Sequence, residues 1–180
     1  TILLKGSSYP AGSVKAALKA GIGFVPQDRH HQGLVPEMSV GENATLSILD
    51  RLGSFGFINE RKRKQLVNQW IVDLDIKTYG AEQPVSGLSG GNQQKVVQAR
   101  AMANHPDLLI MISPTAGVDI KSKETLLDYV AQSSEKGTSV LIVSDELDDV
   151  RGCDRVLVMY HGEITHEFMV GWRDGEMIAA

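Results

Sequence analysis

The sequence has a single cysteine, Cys153, which rules out an internal disulfide and fits a reducing compartment. It has no long apolar run. Runs such as Leu108–Ile112 and Val140–Val143 fall far short of the roughly 20 residues a membrane-spanning helix needs. It has no excess of positive charge: a formal net charge of −4 gives no general attraction to nucleic acid or anionic lipid. None of its 18 glycines is followed by lysine, so the phosphate-cradling pattern G-x-x-x-x-G-K-[ST] is absent. The five histidines are scattered or directly adjacent, without metal-ligand spacing, so no metal site is expected. Repeats and low-complexity stretches are missing as well.

What remains is a chain of 180 residues, 42% hydrophobic, enough for one domain with a real core. It opens on TILLKG, strand-like from Thr1, and the expectation is a fragment of a longer polypeptide. Strand-like and helix-like stretches alternate, which predicts an α/β fold with a mainly parallel sheet. Ser13 is placed to cap a short helix over 14–20, stopped by Gly21. GIGFVP then reads as a strand leading into Gln27. A helix is predicted over about 40–50, broken by GSFGF. Asn59 can cap the next helix, where Leu66, Trp70 and Leu74 share one face and predict lobe core. The runs Leu108–Ile112 and SVLIV lack alternation, as strands covered on both faces do. Between them a helix is predicted near 121–134, with Gly137 as its stop. RVLVMY-HG-EITHEF predicts a hairpin turning at His161-Gly162.

The sharpest local signal is LSGGNQQK, Leu88 to Lys95. A serine and two glycines stand directly before a predicted helix, so backbone N–H groups point outward from its positive end. That arrangement suits a phosphate, with close approach at the glycines and a donor in the Ser89 hydroxyl. The same three residues also make an ordinary serine cap followed by a glycine pair.

LSGGNQQKVVQARAMANHPDLLIM resembles the signature helix and following strand of the ABC ATPases, in particular the monosaccharide-importing branch. Subunits of that branch carry two nucleotide-binding domains on one chain. GIGFVPQDR resembles the Q-loop, with Gln27 as its glutamine. SPTAGVD resembles the Walker B end plus D-loop, with Asp119 facing an opposite domain, although Asp119 would equally cap the helix after it. CDRVLVMYHGEI resembles the closing strands. These matches run in order over nearly all of the chain.

The departures from that pattern are specific. Ile112 occupies the position that resembles the magnesium-supporting aspartate, and a hydrocarbon offers magnesium no oxygen. Ser113 stands in place of the water-polarising glutamate; losing a general base typically costs roughly 10²–10⁴ in rate. Asp145 aligns with the switch histidine, where a carboxylate would repel a γ-phosphate. With the phosphate loop absent too, no hydrolytic group of the chain's own site is intact. The signature residues Ser89, Gly90, Gly91 and Asn92 are.

In ABC dimers each ATP lies between one domain's phosphate loop and the other's signature. The resemblance therefore implies a degenerate C-terminal nucleotide-binding domain that completes its partner's site. Its cofactors would be ATP and Mg2+, bound mainly by the N-terminal nucleotide-binding domain of the same polypeptide. Its further partners would be transmembrane permease subunits and, indirectly, a sugar-binding protein, with no nucleic acid. Its place would be peripheral, on the cytoplasmic face of the plasma membrane. Residues 1–36 and 88–168 would form an α/β lobe truncated at its N-terminal end, lacking the strand, loop and helix around the phosphate loop. Residues 37–87 would form a helical subdomain insertion and 169–180 a tail after the C-terminal β-hairpin. The run Arg61-Lys62-Arg63-Lys64 reads as a solvated helix face. Two other functions fit the same motifs: a soluble ATPase of DNA repair or translation, and a non-enzymatic regulatory module. The interval from Gln27 to Leu88 has no heptad run of the kind a repair-type coiled coil requires, and the intact LSGG and Asp119 weigh against the second.

Overall fold

The structure is a computed structural model of the chain and describes residues 3–8, 12–54 and 57–178. Thr1 and Ile2, where the first strand was expected to begin, and Phe55 and Gly56 of GSFGF lie outside the described residues, as do 179–180 of the tail. A two-residue strand pair comes first, β1 (Leu3–Leu4) antiparallel to β2 (Ser7–Ser8). Helix α1 (Val14–Lys19) follows, with the Ser13 hydroxyl accepting from Ala16 N at 3.2 Å, and Gly21 at φ +73° ends it.

The organising element is a three-stranded parallel sheet in the order β3 (Ile22–Val25), β6 (Leu108–Ile112), β7 (Ser139–Val143). Ile22 sits beside Leu108, and Leu108 beside Ser139. Between β6 and β7 runs α6 (Ile120–Glu135), stopped by Gly137 at φ +100°. Such a crossover is what parallel pairing demands. Helix α5 (Gly90–Met102) lies against one face of the sheet, where a Cβ on Gly23 would run into the carbonyl of Ala101, so only glycine allows the approach.

That face holds the core: Val25, Leu109 and Met111 are almost wholly buried, joined by Val96, Val97 and Ala99 from α5. The opposite face differs from the expectation of cover on both sides. Phe24, Leu141 and Val143 are 47, 51 and 52% exposed, and Ile110 and Ile112, which share that face by register, are half-buried. The apolar runs are those of a two-sided sheet, yet among the described residues one side stays open.

Between β3 and α5 stands a helical lobe. The expected helix over 40–50 is broken into α2 (Val40–Thr45), a 3-10 turn Leu46–Ile48 and α3 (Leu49–Leu52). Thr45 Oγ1 donates back to Gly41 O at 2.7 Å, a local bond that competes with the regular ladder, and the next residues tighten. The start of α2 is a full capping box built from Ser39 and Glu42. β4 (Gly53–Ser54) and β5 (Phe57–Ile58) pair briefly before α4 (Glu60–Asp73), whose N-cap is Asn59, accepting from Lys62 N at 3.0 Å. Trp70 and Leu74 are buried and Leu66 is packed beside them, as the helical spacing requires. In the basic run at the start of α4, Arg63 pairs with Glu60.

After β7 come the short α7 (Leu147–Val150), the hairpin of β8 (Arg155–Tyr160) and β9 (Glu163–Met169), and α8 (Asp174–Ile178). His161 and Gly162 turn the hairpin at φ +50° and +85°, the geometry of a two-residue I′ turn. The architecture is thus α/β, a parallel sheet with helices followed by an antiparallel hairpin.

Candidate functional site

The carboxyl ends of three parallel strands lie together by register, and each releases one residue of interest. Gln27 follows β3, Ser113 follows β6, and Asp145 follows β7 by two residues. Ligands of open α/β sheets collect at this edge. Ile112 ends β6 opposite Val143, where it continues the open apolar face and presents no oxygen. Ser113 adopts φ +44°, a left-handed conformation uncommon outside glycine, and donates its backbone N–H to Val143 O at 2.7 Å. Gln27 and Asp145 are both exposed.

The turn from Ser113 to Asp119 leaves this edge and starts α6. Ala116 N bonds Ser113 O at 3.2 Å and Val118 N bonds Thr115 O at 3.1 Å. Asp119 is the N-cap of α6, accepting from Ser122 N at 3.0 Å. That amide, then the Ser122 hydroxyl, holds the carboxyl of Asp119 below the ordinary carboxylate range. The turn is fixed from beneath by a buried polar cluster that sequence reading did not find. Thr115 Oγ1 donates to Asp149 at 2.6 Å and Ser144 Oγ donates to its other oxygen at 2.7 Å. Lys123, from α6, stands 3.4 Å from Asp149 and 2.7 Å from Glu146. Burial would lower the Lys123 pKa, but the Glu146 hydrogen bond and the Asp149 charge outweigh it and raise the group. The Asp149 side chain is fully enclosed. Thr115 and Asp149 are 34 residues apart, and no local pattern announces their contact.

Across from Asp119 lies the N-terminus of α5. A Cβ on Gly91 would stand 2.8 Å from both Asp119 Oδ2 and Ser122 Oγ, so the two helix tips meet at a position that only glycine fits. Ser89 occupies the N-cap position at φ −64°, ψ 158°, but its side chain caps nothing. The reading of Ser89 as an ordinary serine cap does not hold. Its Oγ accepts instead from Asn92 Nδ2 at 2.8 Å, and Asn92 Oδ1 accepts from Lys77 N at 2.7 Å. An amide N–H can only donate, so Lys77 fixes which end of Asn92 faces it. The NH2 end is thereby turned onto Ser89, whose own O–H must point elsewhere. The result is a helix tip with exposed Ser89, backbone N–H groups at Gly90 and Gly91, and a hydroxyl donor left available.

The lobe is tied to this end of α5 by several bonds, among them one that Gln93 Nε2 donates to Val85 O at 3.2 Å. Besides the Lys77–Asn92 bond, Lys95 of α5, 3% exposed, donates from Nζ to Asp75 O at 3.0 Å. Burial lowers the Lys95 pKa, opposed by the charges of Asp75 and Asp119. Of the residues expected at the site, the structure thus brings Ser89, Gly90, Gly91, Asn92 and Asp119 into one patch. Gln27, Ile112, Ser113 and Asp145 stand at the sheet edge. Among the described residues, no group of three or more His, Cys, Asp or Glu is placed to hold a metal ion, and no helix is long and apolar enough to cross a membrane.

The parallel sheet ending in the Pro-Thr turn and the α5 tip touching the Asp119 helix are the segments whose sequences resemble the ABC ATPases. The ABC transporter family profile matches residues 1–116, and the chain belongs to that family. Its relatives include a ribose import ATP-binding protein of Mesorhizobium japonicum, 42% identical over 168 residues, 93% of this chain and 33% of that protein. A xylose import ATP-binding protein of Yersinia pseudotuberculosis is 39% identical over 170 residues, 93% of this chain and 33% of that protein. The chain spans about a third of the length of these curated relatives. Among solved structures, a dimeric ATP-binding cassette in a post-hydrolysis state with ADP and Pi superposes with a TM-score of 0.79 at 23% identity. That match covers 94% of this chain and 73% of the other. A component of an ABC transporter complex from Clostridium perfringens gives 0.72 at 24% identity, covering 98% of this chain and 67% of the other. These structures establish the same fold.

Proposed function

We propose that this chain is the degenerate second nucleotide-binding domain of a sugar importer, and that its signature loop completes an ATP site held by a partner domain. The observation that carries this reading is the divided state of its two surfaces. At the sheet edge, where a nucleotide of its own would be worked on, Ile112 supplies no oxygen for Mg2+. Ser113 offers only a weak proton acceptor there, and Asp145 adds a negative charge. At the tip of α5, Ser89 keeps an O–H free to donate, and Gly90 and Gly91 hold the first helical positions, where backbone N–H groups have no intrahelical acceptor. A domain whose role lies wholly in its partner's site needs the second surface and not the first.

In this reading ATP and Mg2+ are gripped by an N-terminal nucleotide-binding domain of the same polypeptide. This chain's part is positional: a hydroxyl and two backbone donors placed against phosphate oxygens. The ribose and xylose import relatives, with three times the length of the matched region, support a tandem subunit at the cytoplasmic face of the membrane. That subunit would serve permease subunits and, through them, a sugar-binding protein. Within it, 37–87 would be the helical subdomain, 1–36 with 88–168 the α/β lobe and 169–180 the tail.

The test is Ser89→Arg in the intact transporter, read as sugar-stimulated ATP turnover. A fall of two orders of magnitude or more, the scale of losing an oxyanion-type donor, is the expected result (~10²–10³). Turnover close to wild type refutes the in-trans role. Association with a membrane permease, retained in the variant, separates a transporter from the DNA-repair, translation and purely regulatory alternatives.

A further inference from the structure

Arg29 touches three of the segments from which the site is built. It opens a π-helical turn, Arg29–Gly33, two residues after Gln27. The turn is held by Asp28, whose carboxylate accepts from His30 N at 2.9 Å and His31 N at 3.0 Å. Arg29 Nη1 donates to Ala116 O at 2.9 Å, in the middle of the Ser113–Asp119 turn. Its Nη2 lies over Gly90: a Cβ there would stand only 2.8 Å from it, and a Cβ on Gly117 would be 3.7 Å away. Arg29 Nε is buried with no hydrogen-bond partner among the described residues.

These contacts close a ring. From Arg29 the path runs to Ala116, along the turn to Asp119, across to Gly91, and back through Gly90 to the guanidinium. A planar, permanently charged fork suits this position in a way a lysine ammonium does not, because one edge bonds a carbonyl while the plane fills the space over a glycine. Burying Nε without an acceptor costs stability, which the Ala116 bond and the packing over Gly90 must offset.

We propose that Arg29 is a positioning residue that couples the turn after Gln27 to the signature tip and to the Asp119 turn, and that a side chain at position 90 would have to displace the guanidinium of Arg29, which lies in its space. The part of this that concerns turnover rests on the in-trans reading of the signature loop; the part that concerns Gly90 does not. Displacing the guanidinium releases Ala116 O and shifts the glycine pair relative to Asp119. Misplacement of about 1 Å at a reacting centre is enough to cost on the order of 10²-fold.

The first measurement is a double-mutant cycle on this chain, pairing Gly90→Ala with Arg29→Met and reading urea midpoints together with amide exchange at Ala116 and Val118. Gly90→Ala is expected to lower the midpoint and speed exchange when Arg29 is present, and to do much less of both once Arg29 is replaced. Simple additivity overturns the steric claim. The second is ATP turnover of the intact protein. Arg29→Met is expected to lower kcat roughly tenfold or more with little change in the KM for ATP, and Arg29→Lys to recover only part of the loss. Full kcat in Arg29→Met, with Ser89→Arg inactive, overturns the coupling role and leaves the in-trans reading standing. Full turnover in Ser89→Arg removes the in-trans reading, while the cycle still decides whether Arg29 fills the space over Gly90. If Arg29→Met does not fold, Arg29→Lys and Gly90→Ala carry both measurements.

Discussion

Asn92 Nδ2 donates to Ser89 Oγ at 2.8 Å, and this bond sets the direction in which the serine proton points. Because Lys77 N donates to Asn92 Oδ1, the amide cannot turn over without losing a bond of 2.7 Å. Asn92 thus acts on the polarity of Ser89.

Asn92→Asp tests that relation almost without changing shape. The carboxylate keeps the Lys77 bond but has no proton to give, so Ser89 donates to it and the outward donor is consumed. The added charge also opposes an anion at the helix tip. Turnover of the intact protein is expected to fall about 10²-fold, as on losing an oxyanion donor. The urea midpoint should stay nearly constant. A variant with normal kcat shows that the Ser89 hydroxyl needs no fixed direction.

Asp149 makes a second, purely structural prediction. Its carboxylate is enclosed and takes hydroxyl donors from Thr115 and Ser144 beside the Lys123 ammonium. Asp149→Ala strips both hydroxyls of their acceptor and leaves Lys123 with Glu146 as its nearest carboxylate, and should destabilise the chain by about 2–4 kcal/mol. Asp149→Asn, which can still accept from Thr115, should lose about half of that or less. Urea denaturation at neutral pH measures both.

Acid should weaken the fold through its helix starts. The Ser39 backbone N–H and hydroxyl, in that order, hold the Glu42 carboxyl below its ordinary value of 4.5. A depressed folded-state pKa contributes stability above the ordinary value and loses it as pH falls through the lower one. Asp119 is lowered in the same direction by Ser122, and Asp28 by His31. Urea midpoints should therefore decline as pH drops below about 4.5. Glu42→Gln, able to fill the capping-box position without titrating, should show a shallower decline.

The open side of the sheet predicts association. Phe24, Leu141 and Val143 form an exposed apolar surface continuous with Ile110 and Ile112. The chain should bind a hydrophobic dye and sediment above its 19.6 kDa mass at micromolar concentration. Leu141→Thr with Val143→Thr, which places β-branched side chains suited to a strand at both positions, should reduce both signals without lowering the urea midpoint. Unchanged sedimentation in that variant would place the contact elsewhere.

How much of this was readable in the linear chain depends on the range of the forces involved. Caps and stops such as Ser13, Asn59, Gly21 and Gly137 act within a few residues and were legible. So was the His161-Gly162 turn, where two residues at positive φ decide the hairpin. The α5–β6 segment could be placed because its motif and apolar run are contiguous. The break at Thr45 was not legible, since it depends on a side chain choosing Gly41 O over solvent. Nor was the role of Ser89 settled, because its partner Asn92 is oriented by Lys77, which reaches it only after the lobe has folded over α5. Arg29 could be read as a residue after Gln27, but not as a neighbour of Gly90 and Ala116. An apolar strand predicts that something covers it without naming what does, which is why β6 and β7 read as two-sided.

The pairing of Ile22 with Leu108 also shapes how the molecule assembles. Strand β3 leaves the ribosome long before β6, with the whole helical lobe made in between, so the central sheet closes a loop of more than eighty residues. Nonlocal closure of this kind is slow relative to helix formation. Until β6 is made, β3 has no partner strand among the described residues, so the sheet that organises the domain cannot begin to pair before Leu108 is in place.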